Sequence, residues 1–262
     1  MRANSEGIEG AQPEANNYAE VKMIVRFKRE GRVHGGSLSL DDNRIVSGGE
    51  ILSLNDVELL APCQPSKIVC VGLNYTEHAR ELKMEIPDEP ILFLKPPSSI
   101  LGPGEGIVYP PSSRQVDYEG ELGVVIGKRC KNISAEDYEK YVLGYTCFND
   151  VTARDLQRKD GQWTRAKSFD TFAPFGPWIS KIEVSNAAIQ TRVNGVVKQK
   201  SSTSDLIFGI PKLVEFISGV MTLEPGDLIA TGTPPGVGTL QKGDVVEVDI
   251  DGIGVLKNFV AP

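Results

Sequence analysis

Glu119 and Glu121 stand one residue apart in Tyr118-Glu119-Gly120-Glu121-Leu122-Gly123, directly before the apolar run Val124-Val125-Ile126. In an extended strand, alternate side chains share a face, so these two carboxylates emerge within a few ångströms of each other. They repel, and a fold that carries them must neutralise the pair with a shared proton, with Lys or Arg, or with a divalent cation. Asp150, at the end of Cys147-Phe148-Asn149-Asp150, and Lys167, in Trp163-Thr164-Arg165-Ala166-Lys167-Ser168-Phe169, are polar residues in apolar or aromatic settings and are candidates to complete such a site. Carboxylate oxygens without nearby His or Cys select a hard ion, Mg²⁺, Mn²⁺ or Ca²⁺, over zinc. The competing reading is a solvated edge strand, on which Asp117 would share the wet acidic face.

A second cluster lies in Thr76-Glu77-His78-Ala79-Arg80-Glu81-Leu82-Lys83, a helical stretch that puts His78 and Glu81 three residues apart on one face. A carboxylate beside an imidazole orients it and raises its basicity, as a general base for water requires. On spacing alone the pair also reads as a surface contact. The continuation Met84-Glu85-Ile86-Pro87-Asp88-Glu89-Pro90 is polar and proline-broken, as a mobile lid is. The other histidine, His34, falls in the stretch Arg32–Leu38, expected as a hairpin strand, and receives no role.

Further helical stretches are expected from Ser134, whose Ser-Ala-Glu-Asp start reads as a capping box, through Tyr141, and in Thr152–Gln157. The latter places Arg154 and Gln157 on one face, one turn from Asp150. Near the C-terminus, Leu228-Ile229-Ala230 leads into Thr231-Gly232-Thr233-Pro234-Pro235-Gly236-Val237-Gly238, a loop that can offer backbone N–H groups and the Thr233 hydroxyl to an anion. It lacks the Gly-Lys-Ser/Thr ending of a P-loop and any G-x-G-x-x-G.

The elements that must position these groups are mostly short β-branched strands separated by Gly/Pro turns. Residues 1–21 read as a disordered polar tail with one Arg and four Glu. Residues 22–65 read as a small β-rich module, with a hairpin of Met23–Phe27 and Arg32–Leu38 about a turn at Gly31, and residues 66–262 as the catalytic domain. With 262 residues, 40% apolar and 24% charged, the chain has the composition of an ordinary globular protein able to bury a core. A formal charge of −7 and no Lys/Arg block argue against nucleic acid, so an anionic substrate needs a metal or particular cationic side chains. No apolar stretch approaches the roughly 18 residues of a membrane span. The four cysteines, Cys63, Cys70, Cys130 and Cys147, have no C-x-x-C spacing and read as free buried thiols of a cytoplasmic protein.

Taken in order, Gly72-Leu73-Asn74-Tyr75 with His78 and Glu81, Leu92-Phe93-Leu94-Lys95-Pro96, Asp117–Leu122, Asn149–Asp155, Lys167-Ser168-Phe169-Asp170 and Thr231-Gly232-Thr233-Pro234 resemble the fumarylacetoacetate hydrolase family over about residues 66–260. The resemblance implies an α+β fold, a mixed β-sheet roll with a small N-terminal β-rich module, and a homodimer. It implies a Mg²⁺ or Mn²⁺ site with Glu119, Glu121 and Asp150 as ligands, Ca²⁺ being able to take their place in crystals. It places His78 and Glu81 as the catalytic dyad, Lys167 as the catalytic lysine, and Lys95, Arg154, Gln157 and Thr233 as substrate contacts. Relatives similar to acylpyruvate hydrolases often carry Arg where this chain has Leu73, which removes a cation near the lid.

A 2-oxo carboxylate can chelate a divalent ion through its carboxylate and keto oxygens, and any step that leaves charge on the adjacent carbon then gives a metal-bound enolate. The expected reaction is cleavage of a C–C bond in a 2-oxo acid, by acylpyruvate hydrolysis or oxaloacetate-type decarboxylation. The alternatives are isomerisation and decarboxylation of 2-hydroxyhepta-2,4-diene-1,7-dioate and, from a different class, a non-catalytic metal-binding module. The expected partner is therefore a small 2-oxo acid or dienoate, without nucleic acid or membrane.

Overall fold

A computed structural model describes residues 23–262; the tail expected over 1–21 lies outside the described residues. The chain runs through β1 (Met23–Arg29), β2 (Arg32–Ser39), β3 (Arg44–Ser47), β4 (Glu50–Ser53), β5 (Glu58–Leu59), β6 (Ile68–Gly72), α1 (Thr76–Leu82) and β7 (Ile91–Lys95). It continues through β8 (Ile100–Leu101), β9 (Gly106–Ile107), β10 (Val116–Tyr118), β11 (Gly120–Ile126), β12 (Val142–Asn149), β13 (Thr152–Ala153), α2 (Arg154–Asp160), α3 (Thr164–Lys167) and β14 (Ala173–Ser180). The last part comprises β15 (Ala188–Val193), β16 (Val196–Ser202), α4 (Ile210–Val220), β17 (Leu228–Ala230), β18 (Gly238–Thr239), β19 (Val245–Ile250) and β20 (Gly254–Val260).

Among the described residues these strands form a twelve-stranded mixed sheet whose main path is β4-β3-β2-β1-β14-β12-β11-β17-β6-β7, with β5 on β1 and β8 on β14. A five-stranded sheet, β16-β15-β19-β20-β9, and a small one, β13-β10-β18, complete the α+β fold. The expected hairpin forms as β1 and β2, with Gly31 at φ +77° in the turn. Its first strand pairs with β14, so the strands before Leu60 extend the same sheet that carries the acidic pair.

β11 lies in the interior of that sheet, between β12 and β17. Leu122, Val124 and Ile126 face the five-stranded sheet and meet Ile189, Val248, Ile250 and Leu256 there, while Val125 packs on the opposite side with Phe148, Phe175 and Leu228. Burial on both faces explains the continuous apolar run of Leu122–Ile126. α4 adds Ile210, Leu213, Val214 and Ile217, a helical stripe, to the same core. Each such side chain contributes about 1.5–3 kcal/mol on burial.

Two local expectations are corrected. Residues 135–140 form a 3₁₀ helix in which Ser134 makes no side-chain cap; Glu215, on α4, accepts the Ala135 N–H instead (3.3 Å). Thr152 and Ala153 are strand, paired with Asp117 and Val116, and the helix begins at Arg154. Cys63, Cys70, Cys130 and Cys147 are free, and the last three are buried. Among the described residues no helix is long and apolar enough to cross a membrane.

Candidate metal centre and base dyad

Glu119 is the residue between β10 and β11, and Glu121 is the second residue of β11. Asp150 follows β12 directly, where its N–H donates to the Glu119 carbonyl (2.8 Å). The pairing of Gly120 with Asn149 therefore brings all three acids to one place. One oxygen from each of Glu119, Glu121 and Asp150 lies within 4.8 Å of the others, and all three side chains are buried. This burial, in an inner strand, removes the solvated-edge reading. Asp117 is buried as well, at 3% exposure.

Burying carboxylates demands partners. Lys167 donates to Glu119 Oε2 (2.9 Å) and Asp150 Oδ2 (2.5 Å), and Lys95 donates to the other Asp150 oxygen and to the Val151 carbonyl (3.0 Å). Arg154 donates to Asp117 Oδ2 (2.9 Å), to Gln157 Oε1 (2.6 Å) and to Glu119. Thr152 Oγ1 donates to the Asp150 carbonyl (2.8 Å) and lies 3.3 Å from Glu119 Oε1, and Asn149 Oδ1 accepts the Glu119 N–H (3.0 Å). Four carboxylates thus meet three cations. Glu121 pairs with no Lys or Arg among the described residues and is held by the Gly232 N–H (2.8 Å).

This asymmetry governs protonation. Burial pushes the Glu119 carboxyl up, but Lys167 and Arg154 outweigh it and hold the group well below the usual carboxylate range. For Glu121 burial comes first, and the charges of Asp150 and Glu119 add to it, so its carboxyl lies well above that range. Burial lowers the Lys167 ammonium, yet Asp150 and Glu119 more than reverse this and raise it. Three hard oxygen donors, one of them lacking a countercharge, fit a divalent ion of the Mg²⁺ or Mn²⁺ kind.

The dyad forms on α1, where His78 is buried and its Nδ1 lies 2.9 Å from Glu81 Oε2. Glu81 in turn accepts the Gly236 N–H (3.2 and 3.3 Å). Leu73, at φ +54°, turns the chain from β6 toward α1, and Asn74 staples that turn in place by donating to Thr231 O (2.8 Å) and Phe208 O (3.0 Å) and accepting the Phe208 N–H (2.8 Å). The 231–236 loop therefore holds Glu121 at one end and Glu81 at the other. Leu82, Met84 and Ile86, in and after the last turn of α1, are half exposed.

The structure also places the residues expected to touch substrate. Lys95, Arg154 and Gln157 all serve the acidic cluster. Thr233 donates its hydroxyl proton to Gly120 O (2.9 Å) and accepts from Gln199 Nε2 (2.8 Å), and the Gly232 and Gly236 N–H groups of this loop are given to Glu121 and Glu81. Sequence reading did not single out Asn74, Asn149 or Thr152, though all lie inside the quoted motifs; Gln199 lay outside every one of them.

Residues 67–261 match the family described as fumarylacetoacetate (FAA) hydrolase C-terminal. The chain belongs to this family of enzymes. It is 57% identical over 237 residues to an uncharacterised protein of Archaeoglobus fulgidus, covering 90% of this chain and 95% of that one. It is 40% identical over 269 residues to the mitochondrial oxaloacetate tautomerase of Rattus norvegicus, covering 97% of this chain and 85% of that one. Among solved structures, the 2-hydroxyhepta-2,4-diene-1,7-dioate isomerase of Mycobacterium marinum superposes with a TM-score of 0.85 at 44% identity, over 92% of this chain and 98% of that one.

Proposed function

We propose that this family member is a divalent-metal-dependent enzyme that moves a proton at the carbon next to the keto group of a 2-oxo acid, interconverting keto and enol forms or isomerising the related dienoate. The observation that carries the reading is the pairing of His78 with Glu81, in which Glu81 is itself fixed by Gly236 on the loop that holds Glu121 through Gly232. A carboxylate at Nδ1 makes that nitrogen the donor and leaves the lone pair on Nε2. Oxaloacetate tautomerase and dienoate isomerase are also the names of the two named relatives above.

Glu119, Glu121 and Asp150 would hold the ion, which when bound supplies a Lewis acid for the 2-oxo group. His78 Nε2 takes the proton from the carbon beside the keto group, the C–H electron pair becomes the new C–C double bond, the C=O π pair moves onto the keto oxygen, and that oxygen is protonated from solvent while His78 releases its proton to solvent. In reverse, His78 returns the proton to carbon. Glu81 keeps the imidazolium oriented and stabilised throughout.

The second reading is C–C cleavage of an acylpyruvate. It is favoured by the same dyad, whose Nε2 suits deprotonation of water equally well. Incorporation of solvent deuterium at the carbon beside the keto group, followed by NMR with oxaloacetate and an acylpyruvate, separates the two. Exchange without loss of carbon skeleton is expected, and release of pyruvate at the rate of exchange would favour cleavage. His78→Asn is expected to slow exchange at least a hundredfold while retaining metal; retained exchange removes His78 as the base.

A further inference from the structure

β16 inverts the usual alternation: Val196 and Val197 are about half exposed, and Gln199 alone in the strand is buried, at 1% exposure. The cause is a bulge. Pairing with β15 passes from Thr191 opposite Gln199 to Arg192 opposite Val197, which leaves Lys198 as the extra residue and turns Gln199 toward the twelve-stranded sheet. There the amide is saturated. Oε1 accepts the Gly120 N–H (3.0 Å), and Nε2 donates to Thr233 Oγ1 (2.8 Å) and Pro234 O (2.8 Å). The orientation of the amide is fixed by its partners, because a backbone N–H only donates and a backbone carbonyl only accepts.

Gly120 is the residue between the two glutamates of the acidic triad, and Thr233-Pro234 is the middle of the loop whose ends hold Glu121 and Glu81. A side chain here finds no room: a Cβ on Gly120 would lie 2.0 Å from Thr191 Oγ1, and one on Gly236 would lie 2.2 Å from Lys198 O. The Gly120 backbone thus lies directly against the Thr191 side chain of the five-stranded sheet, the loop backbone at Gly236 lies against Lys198, and Gln199 is a polar link across the contact.

We propose that Gln199 is a positioning residue that sets the spacing of Glu119 and Glu121 through Gly120 and locks the Thr233-Pro234 loop against them. The proposal rests on the metal reading above. It assigns a part of the metal centre to the five-stranded sheet, which supplies none of the ligands. The Gly120 arm acts on the ligands, and the Thr233 arm acts on the loop.

The test is Mn²⁺ binding followed by EPR, with thermal midpoints measured in chelator as the control for folding. Wild type should bind one Mn²⁺. Gln199→Met, which loses both arms, should bind at least tenfold more weakly with an altered bound line shape, whereas Gln199→Glu, which keeps an acceptor for the Gly120 N–H and loses only the Thr233 arm, should show a smaller loss, between Gln199→Met and wild type. Should Gln199→Met not fold, Gln199→Asn, one methylene too short to span the gap, takes its place with the same expected loss. A shortened or apolar variant that binds Mn²⁺ with wild-type affinity and line shape overturns the proposal while leaving the metal reading intact, and so does an equal loss in Gln199→Glu. A wild-type protein that binds no Mn²⁺ overturns both.

Discussion

Glu121 differs from Glu119 and Asp150 in having no ionic partner among the described residues, and this difference gives opposite expectations for similar substitutions. Glu121→Gln should abolish Mn²⁺ binding, yet leave the thermal midpoint in chelator unchanged or raised, because the neutral amide relieves repulsion from Asp150 and Glu119. Glu119→Gln should also abolish metal binding, but it leaves the buried Lys167 with Asp150 alone and Arg154 with Asp117 alone, at a cost of about 1.5–3 kcal/mol. Lys95→Met, which leaves Asp150 with one cation in place of two, should destabilise on the same scale. Denaturant unfolding with and without chelator checks all three, and equal destabilisation by Glu121→Gln and Glu119→Gln would contradict this charge assignment. At this scale the chemistry was legible, since the Glu-x-Glu doublet, Asp150 and Lys167 were all visible as residues out of place in apolar runs. What could not be read was who neutralises whom: Lys95 and Arg154, expected as substrate contacts, donate to Asp150 and Glu119.

The loop of residues 231–236 is the element on which both halves of the site depend. Gly232 sits at φ +100°, and a Cβ there would stand 2.7 Å from the Asn74 Cβ. Gly232→Ala should therefore cost about 1–3 kcal/mol from backbone strain alone, and should shift the N–H that holds Glu121. Weakened Mn²⁺ affinity is its expected signature; a variant that binds and melts like wild type would show that the Gly232 contact is dispensable. Elements with strong local signals were readable, including the β1–β2 hairpin about Gly31 and α1 with its dyad. The start of α2 was misread because Thr152 and Ala153 have strand partners in Asp117 and Val116, which no local pattern displays. The Ser134 capping box failed because Glu215, distant in sequence, supplies the acceptor. Gln199 was hidden for a sharper reason: in Val-Val-Lys-Gln-Lys the apolar residues point out and the amide points in, the reverse of the alternation that sequence reading relies on.

For the whole molecule, an ion held by the acidic triad as proposed would act as a staple. A ligand at a hundred times its Kd stabilises the native state by about 2.7 kcal/mol, and for a chain of this size about 1 kcal/mol moves the thermal midpoint by about 2–4 °C. Saturating Mg²⁺ or Mn²⁺ should thus raise the midpoint by about 5–10 °C, reversed by chelator and absent in Glu121→Gln; a wild-type midpoint that ignores both would contradict a native-state ion. Sedimentation equilibrium should give a particle of two 28.5 kDa chains, as the family resemblance implies, and a single-chain mass would refute the homodimer. The sheet-roll architecture was legible from density of short strands together with ordered motifs. The continuity of β1–β5 with the main sheet was not, because the β1–β14 pairing joins stretches more than 140 residues apart.

In the proposed function, Glu119, Glu121 and Asp150 hold one divalent ion. Anomalous diffraction at the manganese edge from crystals grown with Mn²⁺ tests it most directly. A single strong peak within coordination distance of one oxygen from each of the three carboxylates is the expected result; a map with no peak among them, or with manganese bound only elsewhere on the surface, would contradict it.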